Sequence, residues 1–339
     1  MKQCVLMQHG LCIEGTRIGT CCFNQQNPKV YKNLDIDENF CRAFIDQEDH
    51  GIYSYRQGIN EKYGLDHDHS SPIVLEVVPN INCNLACRNC SEKRSSTWAK
   101  HKQVKITRAD NTSVDEFLNL LSEFDLSRVK EINFSGGEPW LNNAIIKYLQ
   151  PLSGRVDFSK IILRFSTNGT LRLNDKLEKF FLQFELVRPQ FSLDDIGSGH
   201  EYQRWPSTWF EWESNWKDFL ERMPHNIMPV INRTVGILNV HRLHYLDEWY
   251  KNYQFTRFGD PIELRDHFAI GEYSLDNITP GLKKLASTAL SQRSQKYVKN
   301  RSATLDQLPI LQQHILMQDQ IHGTDLKTAD PDLYQAIFL

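Results

Sequence analysis

The sequence lacks any apolar run that approaches the ~20 residues needed for a membrane-spanning helix. Its first residues lack the charged, apolar and cleavage regions of a secretory signal peptide. Neither sign of charge dominates, because 39 Lys and Arg stand against 42 Asp and Glu, for a formal net charge of −3. These absences argue against a membrane protein, a secreted protein and a general nucleic-acid binder. We therefore expect a cytoplasmic protein.

Cysteine is absent from everything after residue 90, although the chain contains eight cysteines. They fall into an N-terminal group and a compact triplet: Cys4, Cys12, Cys21, Cys22 and Cys41, then Cys83, Cys87 and Cys90. Disulfides are rare in the cytoplasm because thiols are kept reduced there. Cysteines that only fill a core would be scattered, so this grouping predicts metal or cluster ligation.

The pattern of the chain changes near residue 71. Residues 1–70 show little periodicity, which predicts a small, irregular, cysteine-rich module that a metal could hold together. Its last part, 65–72, is predicted to be a linker in which His67 and His69 are solvated rather than metal-binding. Residues 71–280 alternate short β-rich runs with helical stretches, which predicts an α/β fold with a parallel sheet. Six such units predict a partial (β/α)6 TIM-like barrel, and 281–339 is predicted to be a helical extension.

The predicted elements follow from local composition and end signals. Ser113 with Glu116 resembles a capping box, and Asn174 is a favoured N-cap residue. The predicted strands are 73–78, 129–134, 161–165, 190–193, 228–235 and 261–264. The predicted helices begin near Ser113, Leu141, Asn174, Trp209 and His241.

The most informative pattern is Cys83-Asn-Leu-Ala-Cys87-Arg-Asn-Cys90, directly after the first predicted strand. Three thiolates this close together can bind three irons of a cubane, whereas iron–sulfur clusters are normally held by four cysteines. With three ligands, one iron keeps an open position, the property that separates catalytic from structural zinc centres. For this pattern alone, a three-cysteine zinc site and reduced structural thiols remain alternatives.

Polar, glycine-containing motifs follow the next three predicted strands. They are Phe134-Ser135-Gly136-Gly137-Glu138-Pro139, Ser166-Thr167-Asn168-Gly169 and Phe191-Ser192-Leu193-Asp194-Asp195. Glycine lets a backbone approach a ligand closely, a carboxylate can accept a hydrogen bond from an ammonium group, and small polar side chains suit a ribose or carboxylate. Each motif alone is an ordinary turn. The carboxyl ends of parallel barrel strands share one rim, however, so the motifs are expected to lie together.

The ordered set of cysteine loop, GGEP, STNG and SLD resembles the radical S-adenosylmethionine (SAM) superfamily. The resemblance implies a [4Fe–4S] cluster on Cys83, Cys87 and Cys90 whose open iron is chelated by SAM. One electron then cleaves SAM, and the 5′-deoxyadenosyl radical abstracts a hydrogen atom from the substrate. The implied SAM-binding residues are Gly136, Gly137, Glu138, Ser166, Asn168, Ser192 and Asp194. Family members usually have Gly where this chain has Asp195, which leaves the role of Asp194 open.

The N-terminal cysteines resemble the twitch or SPASM-type modules of some radical SAM enzymes, in a subgroup whose module precedes the barrel. Its pattern is matched in order by Gly15, Ile18, Cys21, Cys22, Cys41, Glu48, Gly51, Ser54 and Arg56, while Phe44 replaces one cysteine. The resemblance implies a second, auxiliary [4Fe–4S] cluster on Cys4, Cys21, Cys22 and Cys41, with Cys12 as a further candidate. A zinc knuckle and a degenerate, empty site are the alternatives.

The resemblance also bears on partners. Relatives with such modules often act on peptides or proteins, so a peptide is the first expectation for the substrate and a small molecule the second. A flavodoxin- or ferredoxin-like electron donor is implied. Two other classes remain: a non-catalytic iron–sulfur electron-transfer or redox-sensing protein, which would not need GGEP, and a zinc-stapled binding module, which would not explain the strand-end motifs. Arg204 could form a surface ion pair or face an anionic group in a pocket.

Overall fold

The computed structural model describes residues 6, 10–19, 42–49, 51, 53–64, 71–107 and 110–339. These residues form one eight-stranded sheet. The strands are β1 (Gly10–Glu14), β2 (Arg17–Gly19), β3 (Val74–Val78), β4 (Glu131–Phe134), β5 (Ile162–Thr167), β6 (Leu186–Ser192), β7 (Val230–Val235) and β8 (Glu263–Phe268). They lie in the order β2-β1-β3-β4-β5-β6-β7-β8, and among these strands of the described residues only the pair β1–β2 is antiparallel. The sheet is therefore a mostly parallel, partial barrel.

Helices cover one face of this sheet and extend beyond its last strand. They are α1 (Arg42–Asp49), α2 (Tyr55–Tyr63), α3 (Ser96–His101), α4 (Val114–Leu121), α5 (Ala144–Leu149), α6 (Asp175–Phe181), α7 (Gly197–Gln203), α8 (Trp209–Arg222), α9 (Leu243–Tyr250), α10 (Pro280–Ser287), α11 (Gln292–Lys299), α12 (Leu308–His322), α13 (Leu326–Ala329) and α14 (Pro331–Phe338). No helix among the described residues is both long enough and apolar enough to cross a bilayer.

Local sequence signals explain several helix starts. Ser113 and Glu116 form the predicted capping box before α4, each side chain bonding the other's backbone N–H. The Asn174 side chain accepts hydrogen bonds from the backbone of Lys176 and Leu177 at the start of α6. These contacts satisfy backbone donors that the first helical turn leaves without partners.

The two faces of the sheet differ in chemistry. Side chains on the outer face, such as Leu75, Ile132 and Leu163, are fully buried in the main hydrophobic core. The alternate positions point into the barrel lumen and are largely polar. Register places Asn133 beside Arg164 and Arg164 beside Arg188. A strand buried on both faces is usually apolar throughout, so the polar lumen marks the inside of the barrel as a place for chemistry.

The predicted fold class is confirmed, and all six predicted strands are present with ends that move by a few residues. A seventh parallel strand comes from the N-terminal segment, since β1 pairs with β3 from Gly10↔Val74 to Glu14↔Val78. The N-terminal segment, which was expected to be irregular, therefore contains regular elements among its described residues, namely β1, β2, α1 and α2. With five residues, GLCIE, β1 is too short to give a clear periodic signal. The domain division at residue 70 stays a prediction.

A second apolar cluster lies beyond β8. It joins Val235 and Phe268 from the last two strands to residues of the C-terminal helices, including Leu282, Leu311 and Leu333. The segment after residue 279 contains α10–α14, and its division from the barrel as a separate extension stays a prediction. Its packing against the end of the sheet ties the C-terminus to the barrel.

The tryptophan cluster of α8 gives a direct test of this packing. Trp212 is fully buried and stacks between Trp209 and Trp216, whereas Phe210 on the same helix is 81% exposed. We expect Trp212→Ala to lower the free energy of unfolding by about 3–5 kcal/mol, because it removes a large buried side chain. Phe210→Ala should change it by less than about 0.5 kcal/mol. Urea titration followed by circular dichroism measures both, and equal effects would contradict the assigned burial.

Candidate cluster and cofactor site

The cysteine loop lies at the carboxyl end of β3, as predicted. Cys83, Cys87 and Cys90 are each half-buried residues. The segment after α7 runs alongside the loop, and Ala86 N donates to Trp205 O and Arg88 N to Gln203 O, both at 2.9 Å. These main-chain bonds fix the loop without using the sulfur atoms, which leaves the thiols available to a ligand.

Helix α3 holds the loop from a second side. The hydroxyl of Thr97 donates to Cys83 O at 2.7 Å, and Ser96 Oγ accepts from Cys83 N at 3.1 Å. The indole of Trp98, which is fully buried, donates to Cys87 O at 2.8 Å. Ser96 and Trp98 therefore shape the backbone that presents the cysteines.

Arg88, between the second and third cysteines, ties the loop to the C-terminal extension. It is 1% exposed, stacks on the Tyr202 ring, and forms an ion pair with Asp319 at the end of α12. Its Nη1 also donates to Gln318 Oε1 at 3.3 Å. Breaking a buried pair of this kind costs about 3–5 kcal/mol. Arg88 was not singled out from the sequence, because its partners are more than 100 residues away along the chain.

The GGEP segment packs directly against the start of the cysteine loop. Gly137 N donates to Asn80 O at 3.0 Å, and Glu138 N donates to Asn82 O at 2.7 Å. A Cβ atom on Gly136 would overlap the Asn80 carbonyl, and one on Gly137 would overlap the Asn82 carbonyl. The two glycines are thus required by the close approach of two backbones. The structure brings together the two motifs on which the sequence argument depends.

The carboxylate of Glu138 joins two strand ends. It is 2% exposed and accepts hydrogen bonds from Asn168 N at 2.7 Å, Thr167 Oγ1 at 2.8 Å and Trp140 N at 3.1 Å. Burial raises the pKa of Glu138 to about 7, against the lowering effect of these donors. Its predicted role as an acceptor for an ammonium group stays a prediction, and its contacts link the GGEP and STNG segments.

Asn168 connects the third motif to the cysteines. Its side-chain nitrogen lies 3.8 Å from Cys83 Sγ and 2.9 Å from Asn84 Oδ1. Ser166, two residues earlier, points into the barrel lumen, where its hydroxyl lies 3.4 Å from Gln190 Oε1. The two predicted residues of this motif therefore face different parts of the site.

The two predicted residues of the fourth motif, Ser192 and Asp194, also lie in different surroundings. Ser192 is half-buried at the end of β6, in register with Asn232. Asp194 is 3% exposed and forms an ion pair with Arg204 at 2.8 Å, while accepting from Thr234 N at 2.7 Å. In these contacts Asp194 positions Arg204.

Arg204 is the most informative of the residues that the sequence left open. It is 8% exposed, which contradicts the surface ion pair considered above. Its Nη1 lies 3.9 Å from Cys87 Sγ. A buried guanidinium at this distance favours negative charge on the sulfur. The sequence signal was weak because Arg204 follows α7, a helix that the sequence pattern did not predict.

The donor chemistry of the loop fits an iron–sulfur cluster. Burial raises the pKa of Cys83 to about 11 and raises the pKa values of Cys87 and Cys90. Thiols in such surroundings bind metal as thiolates only when positive charge compensates them, which irons and Arg204 can supply. Among the described residues, no three His, Cys, Asp or Glu side chains meet in the geometry of a single-ion site.

The predicted auxiliary ligands Cys4, Cys21, Cys22 and Cys41 lie outside the described residues. Cys12 is buried in β1, in register with Glu76. Three other residues of the N-terminal pattern come together, because Ser54 Oγ donates to Glu48 at 2.5 Å and Arg56 forms an ion pair with the same carboxylate. Ser54 of this cluster, together with Gly51 of the same pattern, lines a cavity inside the barrel.

A partial parallel barrel with three thiols at its carboxyl rim, beside a glycine-rich strand end, is the arrangement of a cluster-dependent barrel enzyme. Residues 77–242 match the family model described as the radical SAM superfamily. This segment contains all the site residues above from Cys83 to Arg204 and is similar to that superfamily. The match supports the prediction of the radical SAM superfamily, whereas the twitch/SPASM subgroup stays a prediction.

Curated relatives also match part of the chain. A 7-carboxy-7-deazaguanine synthase from Clostridium acetobutylicum is 34% identical over 112 residues, covering 33% of this chain and 42% of the relative. A GTP 3′,8-cyclase from Clostridium perfringens is 26% identical over 138 residues, covering 41% of this chain and 38% of the relative. The chain thus spans about two fifths of the length of these relatives.

Solved structures with similarity include native anSMEcpe with bound AdoMet, at 19% identity and a TM-score of 0.48, covering 73% of this chain and 67% of that one. Streptococcus suis SuiB bound to S-adenosylmethionine is 14% identical with a TM-score of 0.37, covering 91% of this chain and 58% of that one.

The contact between GGEP and the cysteine loop can be tested at one glycine. Gly137→Ala forces a Cβ against the Asn82 carbonyl, so we expect the free energy of unfolding to fall by about 1–3 kcal/mol and iron uptake to drop. Gly154→Ala is the control, because nothing lies within 4 Å of its Cβ position. Urea unfolding and iron analysis after reconstitution measure the two effects. Normal iron uptake by Gly137→Ala would show that the contact is not needed.

Proposed function

We propose that this protein is a radical SAM enzyme that reductively cleaves SAM and uses the resulting radical to abstract hydrogen from a substrate. The observation that carries the proposal is the pair of backbone hydrogen bonds from Gly137 and Glu138 to Asn80 and Asn82. They hold a glycine-rich strand end against a loop of three half-buried cysteines. A zinc staple or an electron-transfer cluster would not require this contact.

Cys83, Cys87 and Cys90 would hold a [4Fe–4S] cluster, which supplies the electron that breaks a carbon–sulfur bond of SAM when both are bound. Arg204 stabilises negative charge on the Cys87 sulfur, and Asp194 keeps Arg204 in place. Gly136, Gly137, Glu138, Ser166, Asn168, Ser192 and Asp194 make up the surroundings of SAM: Glu138 and Asn168 join the GGEP and STNG segments, and Ser166 faces the lumen.

An auxiliary cluster and the nature of the substrate are further parts of the proposal. The N-terminal pattern that resembles twitch and SPASM-type modules supports a second [4Fe–4S] cluster on Cys4, Cys21, Cys22 and Cys41. The same resemblance favours a peptide substrate and a flavodoxin- or ferredoxin-like donor. The curated relatives, in contrast, are named for the cyclisation of GTP and the synthesis of 7-carboxy-7-deazaguanine, which favours a small molecule.

The central activity is tested with anaerobically reconstituted protein, dithionite and SAM. We expect 5′-deoxyadenosine from the wild-type protein and none from Cys83→Ala, Cys87→Ala or Cys90→Ala, because each loses a cluster ligand. Ser91→Ala, in the same loop, should keep the activity. The product is measured by liquid chromatography, and wild-type protein that binds a redox-active cluster without cleaving SAM would favour an electron-transfer protein instead.

The auxiliary cluster predicts a distinct iron content. With both sites filled, the protein should hold about eight irons per chain, against about four for one cubane. The double variant Cys21→Ala/Cys22→Ala should fall to about four irons and retain the capacity to cleave SAM. Iron and sulfide analysis with electron paramagnetic resonance measures this. About four irons in both proteins would contradict the proposal of an auxiliary cluster.

A further inference from the structure

The barrel lumen contains a cavity of about 660 Å³. It reaches from Gly51 and Lys296 at one end to Ser135 and Ser166 at the carboxyl ends of β4 and β5. Ser135 immediately precedes the GGEP glycines, and Ser166 lies two residues before Asn168, which contacts Cys83. The cavity therefore leads towards the proposed cluster site. Its volume lies within the range of about 300–1,000 Å³ that is typical of small-molecule pockets.

The lining of this cavity is strongly cationic. Five cationic side chains line it, against two acidic ones: Arg164, Arg188, Arg265, Arg293 and Lys296, with Glu263 and Asp266. Both acidic side chains already form hydrogen bonds with neighbouring side chains. Glu263 bonds Arg188 at 3.0 Å and Arg265 at 2.6 Å, and Asp266 bonds both Arg233 and Tyr297.

Two of the arginines are placed against electrostatic preference. Arg164 and Arg188 are direct register partners on β5 and β6, and like charges opposite each other destabilise a sheet. Burial, with the guanidiniums of Arg164 and Arg265 nearby, lowers the pKa of Arg188. The Nε of Arg188 is buried and has no hydrogen-bond partner among the described residues. A buried donor without an acceptor costs free energy, which an anionic ligand would recover.

Neutral polar groups extend the cationic surface. The side-chain nitrogen of Asn232 donates to Gln190 Oε1 at 2.8 Å. The Oδ1 of Asn232 has no hydrogen-bond partner within the described part of the chain. At the opposite end, Lys62 and Tyr63 of α2 both bond Glu131 at 3.1 Å, as does Arg164 at 2.7 Å. Helix α2 thereby neutralises the remaining lumen carboxylate of β4, so Glu131 does not offset the charge of Arg188 or Arg265.

We propose that the lumen binds an anionic group of the substrate, a phosphoryl or carboxylate group, through Arg188 and Arg265. Guanidinium groups bind both kinds of oxyanion in bidentate fashion, which fixes orientation as well as affinity. The anion anchors the substrate so that the remainder points towards the rim with the cysteines. The assignment of the anion as part of the substrate rests on the proposed function. Anion binding itself can be measured without that assumption.

The experiment uses the reconstituted holoenzyme and isothermal titration calorimetry with two probes, pyrophosphate and glutarate. We expect one of them to bind in the cavity, and the tighter one identifies the group as phosphoryl or carboxylate. Arg188→Gln should weaken binding about ten- to hundredfold, because it removes a charge-assisted hydrogen-bond donor. Arg265→Gln should act in the same direction and serves as a second variant if Arg188→Gln does not fold.

A variant that is expected to strengthen anion binding, rather than weaken it, provides a second test. Glu263→Gln removes the carboxylate that competes for both guanidiniums, so it should tighten binding. Arg172→Gln, an exposed arginine that bonds Asn215 outside the cavity, is the matched control and should leave affinity unchanged. Binding of neither probe, or equal affinity in wild-type, Arg188→Gln and Glu263→Gln proteins, overturns the inference.

Failure of the anion site can be distinguished from failure of the proposed function. SAM cleavage by the wild-type protein without anion binding would overturn the anion site and keep the radical SAM assignment. Anion binding that depends on Arg188, without SAM cleavage under any condition, would overturn the proposed reaction and keep the site.

Discussion

The structure of the site depends on one contact, the backbone pairing of residues 80–82 with 136–138. Two successive glycines allow it, because any side chain there would overlap a carbonyl group of the facing segment. Glu138 then reaches from this contact to Thr167 and Asn168 at the end of the next strand. The cysteine loop, the glycine-rich strand end and the third motif are thereby held as one unit, so that the thiols have a fixed relation to the rim of the barrel.

Two buried arginine side chains also contribute to holding the cysteine loop. Arg88 binds the C-terminal helix α12 through Asp319, and Arg204 binds Asp194 beside the Cys87 sulfur. Both cations are nearly inaccessible to solvent, and a buried charge is tolerated only when it is paired. Because Arg88 pairs with Asp319 of α12 and Arg204 lies beside the Cys87 sulfur, the C-terminal extension and the segment after α7 both pack against the loop. Folding of the whole barrel is thus coupled to formation of the site.

The lumen shows how far pattern-based prediction extends. The strand pattern predicted the sheet, since alternating and continuous apolar runs report burial directly. It did not reveal the cationic lumen, because Arg164, Arg188 and Arg265 are single residues in separate strands. Only the register of β5 against β6, and of β7 against β8, brings such residues to one surface. Likewise, the short strand β1 is stabilised by pairing with β3 rather than by its own sequence.

The sequence by itself determined the spacing of three thiols, the position of two glycines and the order of the strands. Those are local properties, since each depends on residues within one turn or one strand. The tertiary structure alone decided that Glu138 links two strands, that Arg204 is buried beside a sulfur, and that arginines from different strands share a cavity. Such relations depend on which distant segments pack together, and in this chain the packing of the barrel sets them.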